Sequence, residues 1–99
     1  MTPPTLIFRP FQLRREIAAL GAWTIATIIP GPGPRQQATW LLNLPDWPHK
    51  QGPASSFEAA RRKIEHEVRE WFCFAGLDDI AAKLEVRIET RDEQERARA

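Results

Sequence analysis

The chain has a single cysteine, Cys73, among its 99 residues. One thiol excludes an internal disulfide framework and any cysteine-based zinc site within the chain, and it fits a reducing compartment. Proline is absent after Pro53, although nine occur up to that point. Bulk charge is nearly absent as well. Fourteen Lys and Arg against 13 Asp and Glu leave +1, so no net field announces a nucleic-acid or anionic-membrane partner. Long apolar runs are also missing. The longest apolar-rich stretch, Ile17 to Ile29, contains Gly21, Thr24 and Thr27 and falls short of the roughly 20 residues a membrane helix needs. The opening MTPPTLIFRPFQLRRE has no basic segment leading into an apolar one, so no secretory signal is read there and the expected location is cytoplasmic. No Walker loop occurs, and Gly31-Pro32-Gly33-Pro34 lacks the run of free N–H groups that cradles phosphate.

What is present is ordinary for a small globular domain: 42% hydrophobic and 27% charged residues. At this length roughly two-thirds of the unfolded surface can be buried, enough for one core. The distribution is uneven. The first 53 residues hold all the prolines, four of five glycines and a charge balance of +3, while the last 46 hold a balance of −2. A turn-punctuated half followed by a charged, proline-free half reads as strands, then helix.

Thr5 to Leu13 reads as an edge strand broken at Pro10, because proline cannot donate to a ladder. Arg14 to Leu20 is open between helical turn and loop. Ala22 to Ile29 reads as a strand with Trp23, Ile25, Thr27 and Ile29 on one face and Thr24, Ala26 and Ile28 on the other. Pro30 to Pro34 reads as the turn to a further strand, Gln37 to Leu44, with Trp40, Leu42 and Leu44 sharing a face. The helix signal is strongest from Ser55 or Ser56 to Ala75. Ser55 and Glu58 fit a capping box, Gly76 fits a left-handed stop, and Phe57, Ala60, Ile64, Val68, Trp71, Phe72 and Ala75 form one apolar stripe. Glu58–Arg62 and Glu65–Arg69 are spaced as i,i+4 pairs on its wet face. Asp78 or Asp79 caps a short turn through Ala82. Leu84, Val86 and Ile88 then alternate with charged residues as a last strand. The expected fold is α+β: a three- to four-stranded antiparallel sheet covered on one face by one long helix, in β-β-β-α-β order. Residues 1–90 form the domain, and 91–99, which lack large apolar side chains, form a frayed charged tail.

Residues 42–72, LNLPDWPHKQGPASSFEAARRKIEHEVREWF, carry a resemblance that extends back to about Trp23. Pro45, Asp46 and Pro48 end a strand. A short loop follows, then a helix opening with Ser55 or Ser56, Glu58 and Ala59 and bearing Trp71 near its end. This segment resembles the HicB-like antitoxin family, which implies a partial RNase H-like fold of three strands, a helix and a further strand. The chain departs from the family where His49 replaces the usual glycine after the second proline and where the acidic loop run is missing. No room is read after Glu89 for the DNA-binding module of full-length members, so the resemblance implies fold more than repression. A fold of this kind would not by itself make a nuclease.

No catalytic constellation is legible. His66 and Glu70 share a helix face, but a catalytic zinc needs three protein ligands, and His49 is the only other imidazole. Helical projection puts His66 in solvent. Cys73 projects away from the apolar stripe without an adjacent base, which fits an ordinary exposed thiol. Trp47, held between Asp46 and Pro48, is a candidate binding anchor. The competing and favoured expectation is that it folds back as a lid on the sheet edge or helix start, against Phe57. Trp71 and Phe74 supply more aromatic surface at the helix end than one sheet needs, and Phe74 is expected to mark a dimer contact. Of the basic residues, Arg61 and Arg62 are expected to face Glu58 and Glu65, whereas Arg9, Arg14, Arg15 and Arg35 lie on or beside the sheet.

The sequence therefore reads as a non-catalytic protein-interaction or regulatory module, a degenerate HicB-like antitoxin domain, whose partner is another protein or a second copy of itself. It implies no cofactor, metal, membrane or small-molecule substrate. The alternative is a small nucleic-acid binder using Arg9, Arg14, Arg15 and Arg35 with tryptophans for stacking.

Overall fold

The computed structural model describes residues 4–90, so the expected tail at 91–99 lies outside the described residues. Five strands run first, β1 (Thr5–Pro10), β2 (Glu16–Leu20), β3 (Trp23–Gly33), β4 (Gln36–Leu42) and β5 (Lys50–Ala54). Helix α1 (Phe57–Phe74), a short helix α2 (Asp78–Lys83) and strand β6 (Glu85–Ile88) follow. The sheet order is β5-β4-β3-β2-β1-β6. The first five strands form an antiparallel meander, and β6 returns parallel to β1. The fold is α+β with one long helix on one face, but the sheet has six strands and is mixed rather than three- to four-stranded and antiparallel.

Several corrections follow from that return. β1 is no edge strand, because β6 pairs along its outer side, and Pro10 sits at its end. Glu16–Leu20 is a strand rather than a helical turn or loop. Pro30–Gly33 continues β3, and the turn is confined to Pro34-Arg35. A β-carbon on Gly31 would lie 1.9 Å from the Gln36 carbonyl oxygen, so the irregular pairing after Pro30 depends on the missing side chain. A further strand, β5, occupies part of the stretch where the sequence predicts a loop. It fits the edge because its proline needs no donor there and Gly52 lets Trp40 lie against it at 3.2 Å from an ideal β-carbon.

Register fixes the two faces. On the helix side, Ile88, Phe8, Ala18, Ala26, Leu42 and Lys50 form one ladder across all six strands. On the other side, Arg9, Ile17, Thr27, Leu41 and Gln51 form a ladder across five. A bulge between Ala18 and Ala19 leaves Ile25 as the extra residue on β3. Ile25 and Ala26 are consequently both buried, and Trp23 is pushed out to 61% exposure, which breaks the expected alternation.

Helix α1 starts as its chemistry dictates. Ser56, rather than Ser55, is the N-cap, and its hydroxyl accepts from the Ala59 backbone N–H at 3.0 Å. Ala60, Ile64, Val68 and Phe72 are buried, Phe57 and Trp71 are partly buried against the core, and Ala75 is exposed. Gly76 takes φ +77°, the Gly76 N–H donates to Cys73 O and the Leu77 N–H to Phe72 O, closing the helix in a Schellman motif. Asp78 and Asp79 occupy the first turn of α2, where they favour its positive end, but no side chain caps it. Val86 and Ile88 face the helix side as expected yet stay 39% and 49% exposed, because α1 lies over β3 to β5 and does not reach β6.

Candidate partner-binding surface

The loop between β4 and β5 builds the site. The Asn43 backbone N–H donates to Ile25 O at 2.7 Å and Leu44 is buried, so the loop is pinned where it leaves β4. Asp46 then takes φ +54°, a left-handed turn that aspartate tolerates better than most residues. Pro45 and Pro48 fix φ on either side of the Asp46-Trp47 pair. The chain is thereby folded back over the C-terminal half of α1.

Trp47 does fold back, but onto the helix end and not its start. Its indole N–H donates to Glu67 Oε2 at 3.0 Å, and its ring meets Phe74 edge-on at a centroid separation of 5.6 Å. Lys50 lies 5.6 Å over the same ring and pairs with Glu67 at 3.0 Å. Trp71 closes the other side, its indole N–H donating to the Pro45 carbonyl at 3.0 Å and its ring 5.2 Å from Phe72. Burial pushes the Glu67 carboxyl upward, but donation from Trp47 and Lys50 outweighs it and holds the pKa below the ordinary carboxylate value.

The three aromatic residues expected to bind a partner, Trp47, Trp71 and Phe74, thus meet at one end of the sandwich. Phe74 is 78% exposed and Leu77 42%. Trp23 reaches the same end beside Pro45. Trp47 and Trp71 are held by hydrogen bonds and half-buried against the core, so they fix the exposed Phe74 ring in place, which lowers the entropy cost of a contact. Asp46, Glu70 and Asp78 flank the patch and are exposed.

Cys73 is exposed, as read from the helical projection. A hydrogen bond to the Asp78 carboxylate, with burial and the nearby negative charges of Asp78 and Glu70 adding to it, raises its pKa and keeps the thiol protonated. His66 is exposed and lies 3.9 Å from Glu70. Among the described residues no three His, Cys, Asp or Glu side chains are grouped as a metal site would require.

The basic residues go to the other end. The β1–β2 and β3–β4 connections emerge on the same side of the sheet, bringing Arg14, Arg15 and Arg35 to one end, all exposed, with Phe11 and Leu13 beside them. Leu13 and Arg14 both have positive φ, +58° and +60°. Arg9 is separate: it pairs with Glu89 at 2.9 Å. Arg61 does not face Glu58 and Glu65. It grips Glu16 of β2 with two hydrogen bonds of 2.6 and 2.8 Å, while Arg62–Glu58 and Arg69–Glu65 pair as expected. Glu16 is 7% exposed, and hydrogen bonding to it raises the Arg61 pKa against the opposing effect of burial.

A shallow cleft of about 480 Å³ near Thr24, Leu41, Asn43 and His49 lies beside the aromatic end and is lined mainly by neutral groups. The roles of Glu67, Lys50 and Trp23 were hidden from sequence reading. Lys50 lies in a strand with no local sequence signature, and regular alternation places Trp23 on a strand face that the bulge at Ile25 disrupts. The fold and site together define a two-layer α+β domain with an aromatic end and a basic end. No protein-family model, curated protein or solved structure matches this chain. No helix among the described residues is long and apolar enough to cross a membrane.

Proposed function

We propose that the chain is a non-catalytic protein-interaction or regulatory module that binds a partner protein through the Trp47–Trp71–Phe74 end. The observation that carries this reading is the convergence of those three aromatics from two separate segments, with Phe74 left 78% exposed. Buried hot spots of binding are enriched in tryptophan, and rings already fixed by Glu67 and Pro45 lose little freedom on contact. The return of β6 beside β1 after the helix supports the resemblance to the HicB-like antitoxins, whose strand-helix-strand order it parallels. On that reading the module is a degenerate antitoxin-like domain of cytoplasmic type.

The test is photo-crosslinking in the cell of origin, from a benzophenone amino acid at position 74 and separately at position 13 on the opposite end. A discrete protein adduct from position 74, lost with Trp47→Ala, is expected. Absence of an adduct, or the same adducts from both positions, would refute the reading. Suppression of a small neighbouring toxin by co-expression would add the antitoxin part.

One observation favours a second reading. Arg14, Arg15 and Arg35 come to one end with Phe11, a basic and partly aromatic surface suited to a nucleic-acid backbone. Salt-dependent shifts of single- or double-stranded oligonucleotides would support it, and no binding at low salt would dispose of it.

A further inference from the structure

The two edges of the sheet are finished differently. An edge strand presents backbone groups that can pair with another chain, and proteins blunt it with proline, a bulge or a covering segment. The β5 edge carries Pro53. Strand β6 has neither proline nor bulge, and no described strand pairs with its outer side. The Glu85 N–H donates to Pro4 O and the Glu89 N–H to Phe8 O, both toward β1. Successive residues of a strand point these groups to opposite sides, so Val86 and Ile88 turn theirs outward. Their side chains, 39% and 49% exposed, floor an open groove of about 180 Å³ between β6 and α1.

We infer that β6 pairs antiparallel with β6 of a second copy of the chain about a twofold axis at Ile88, joining the two sheets edge to edge. The contact does not rest on the aromatic end. Hydrogen bonding and charge select both the occupant and the register. An axis at Val86 needs Leu84, whose N–H is already bonded to Ala81 O and whose carbonyl accepts from Arg69. An axis at Arg87 sets that residue against itself and Glu85 against Glu89, and an axis at Glu89 again opposes like charges. At Ile88 the features agree. Ile88 exchanges both backbone bonds with its own copy, and Arg87 of each protomer stands opposite Glu89 of the other. Those two residues share no backbone bonds, the kind of pair whose side chains come closest. Glu89 holds Arg9 through Oε2, and a carboxylate has a second oxygen for the incoming guanidinium, whose five donors serve more than one acceptor. Arg9 and Glu89 of one protomer and Arg87 of the other then alternate in sign along one row, in an isologous contact that closes a dimer. Helix α1 lies over β3 to β5 and leaves the approach to this edge open. One strand pair buries less than a permanent interface does, so the dimer is weak and reversible.

Sedimentation velocity of the full chain up to millimolar concentration tests this. A mass rising toward twice that of the monomer is expected. Arg87→Glu and Glu89→Arg should each weaken the dimer about tenfold or more, since each variant meets its own copy with like charges. An equimolar mixture of the two should recover the dimer, because both cross-strand pairs are then opposite in sign. Circular dichroism of each variant should stay native. Without any mutation, the Val86 and Ile88 amides should exchange with solvent more slowly as concentration rises, while those of Glu85 and Glu89 keep their rates. A strict monomer at every concentration overturns the proposal. So does a dimer that persists in either variant alone, a mixture that stays monomeric, or Val86 and Ile88 amides indifferent to concentration.

Discussion

Two ion pairs of equal length test how far burial decides the worth of a charge contact. Arg61–Glu16 and Arg62–Glu58 both close at 2.6 Å and use neighbouring arginines of one helix. Their surroundings differ. The side chains of Arg61 and Glu16 are 24% and 10% exposed, those of Arg62 and Glu58 73% and 68%. An exposed i,i+4 pair is worth about 0.3–0.5 kcal/mol, whereas stranding one member of a buried pair costs roughly 3–5 kcal/mol. Glu16→Gln leaves an arginine that can still turn toward water, so the expected loss is about 2–3 kcal/mol. Arg61→Met leaves the carboxylate under the helix, and the expected loss rises to about 3–4 kcal/mol. Combining Glu16→Leu with Arg61→Met removes both charges and should return the protein to within about 1 kcal/mol of its original stability.

Urea unfolding followed by circular dichroism measures these losses. For a chain of this size about 3 kcal/mol corresponds to a melting shift of roughly 12–24 °C. A loss for Arg61→Met no greater than for Arg62→Ala would refute the reasoning. Strict additivity of Glu16→Leu and Arg61→Met, each measured alone and then together, would do the same, since the pair would then carry no coupling.

Other substitutions have signs that the backbone and the carboxylates decide. Gly31→Ala drives a methyl into the Gln36 carbonyl and should cost about 1–3 kcal/mol, while Gly33→Ala meets nothing within 4 Å and should stabilise by about 0.4–1 kcal/mol. Thermal unfolding of the two variants settles the order, and equal effects would contradict the close approach at Gly31. Ser56→Ala should cost about 1 kcal/mol and Ser55→Ala less than about 0.5 kcal/mol, a contrast that assigns the helix cap. The lowered Glu67 pKa means the folded state favours the carboxylate. Its contribution is present above the unfolded value near about pH 4 and is lost as pH falls through the folded one. Trp47→Phe removes the indole donor and should move that loss to higher pH in an NMR titration of Glu67. An unchanged midpoint would mean that the hydrogen bond does not hold the charge.

Helix α1 was legible because cap, stripe and stop agree with one another over eighteen residues. Strand β2 was not. Its sequence EIAAL is short and made of helix formers, and only the neighbours β1 and β3 force it to extend. Strand β5, KQGPA, carries no β-branched or aromatic residue, so nothing local marks it. It exists because β4 offers an edge and Trp40 needs a glycine beneath it. The return of β6 parallel to β1 is a long-range choice that no window of sequence displays. At the site, Trp47, Trp71 and Phe74 could be named as aromatics with surface to spare. Their meeting could not, because it depends on the left-handed Asp46 and on a tether from Lys50 in the unseen strand.

The +3 and −2 halves of the sequence turn out to be less informative than the parity of its connections. In an up-and-down sheet, alternate connections emerge at opposite ends. The β1–β2 and β3–β4 connections carry Arg14, Arg15 and Arg35, and the first residue of β3, the β4–β5 loop and the end of α1 carry Trp23, Trp47 and Phe74. A charge balance spread along the chain is thereby sorted into a basic end and an aromatic end bordered by Asp46, Glu70 and Asp78. The two ends are separated by the length of the sheet, so a protein bound at one leaves the other open. Reversing charge at Arg14 and Arg35 should therefore abolish any oligonucleotide binding and leave the adduct at position 74 intact. A joint loss would mean that one partner spans both ends.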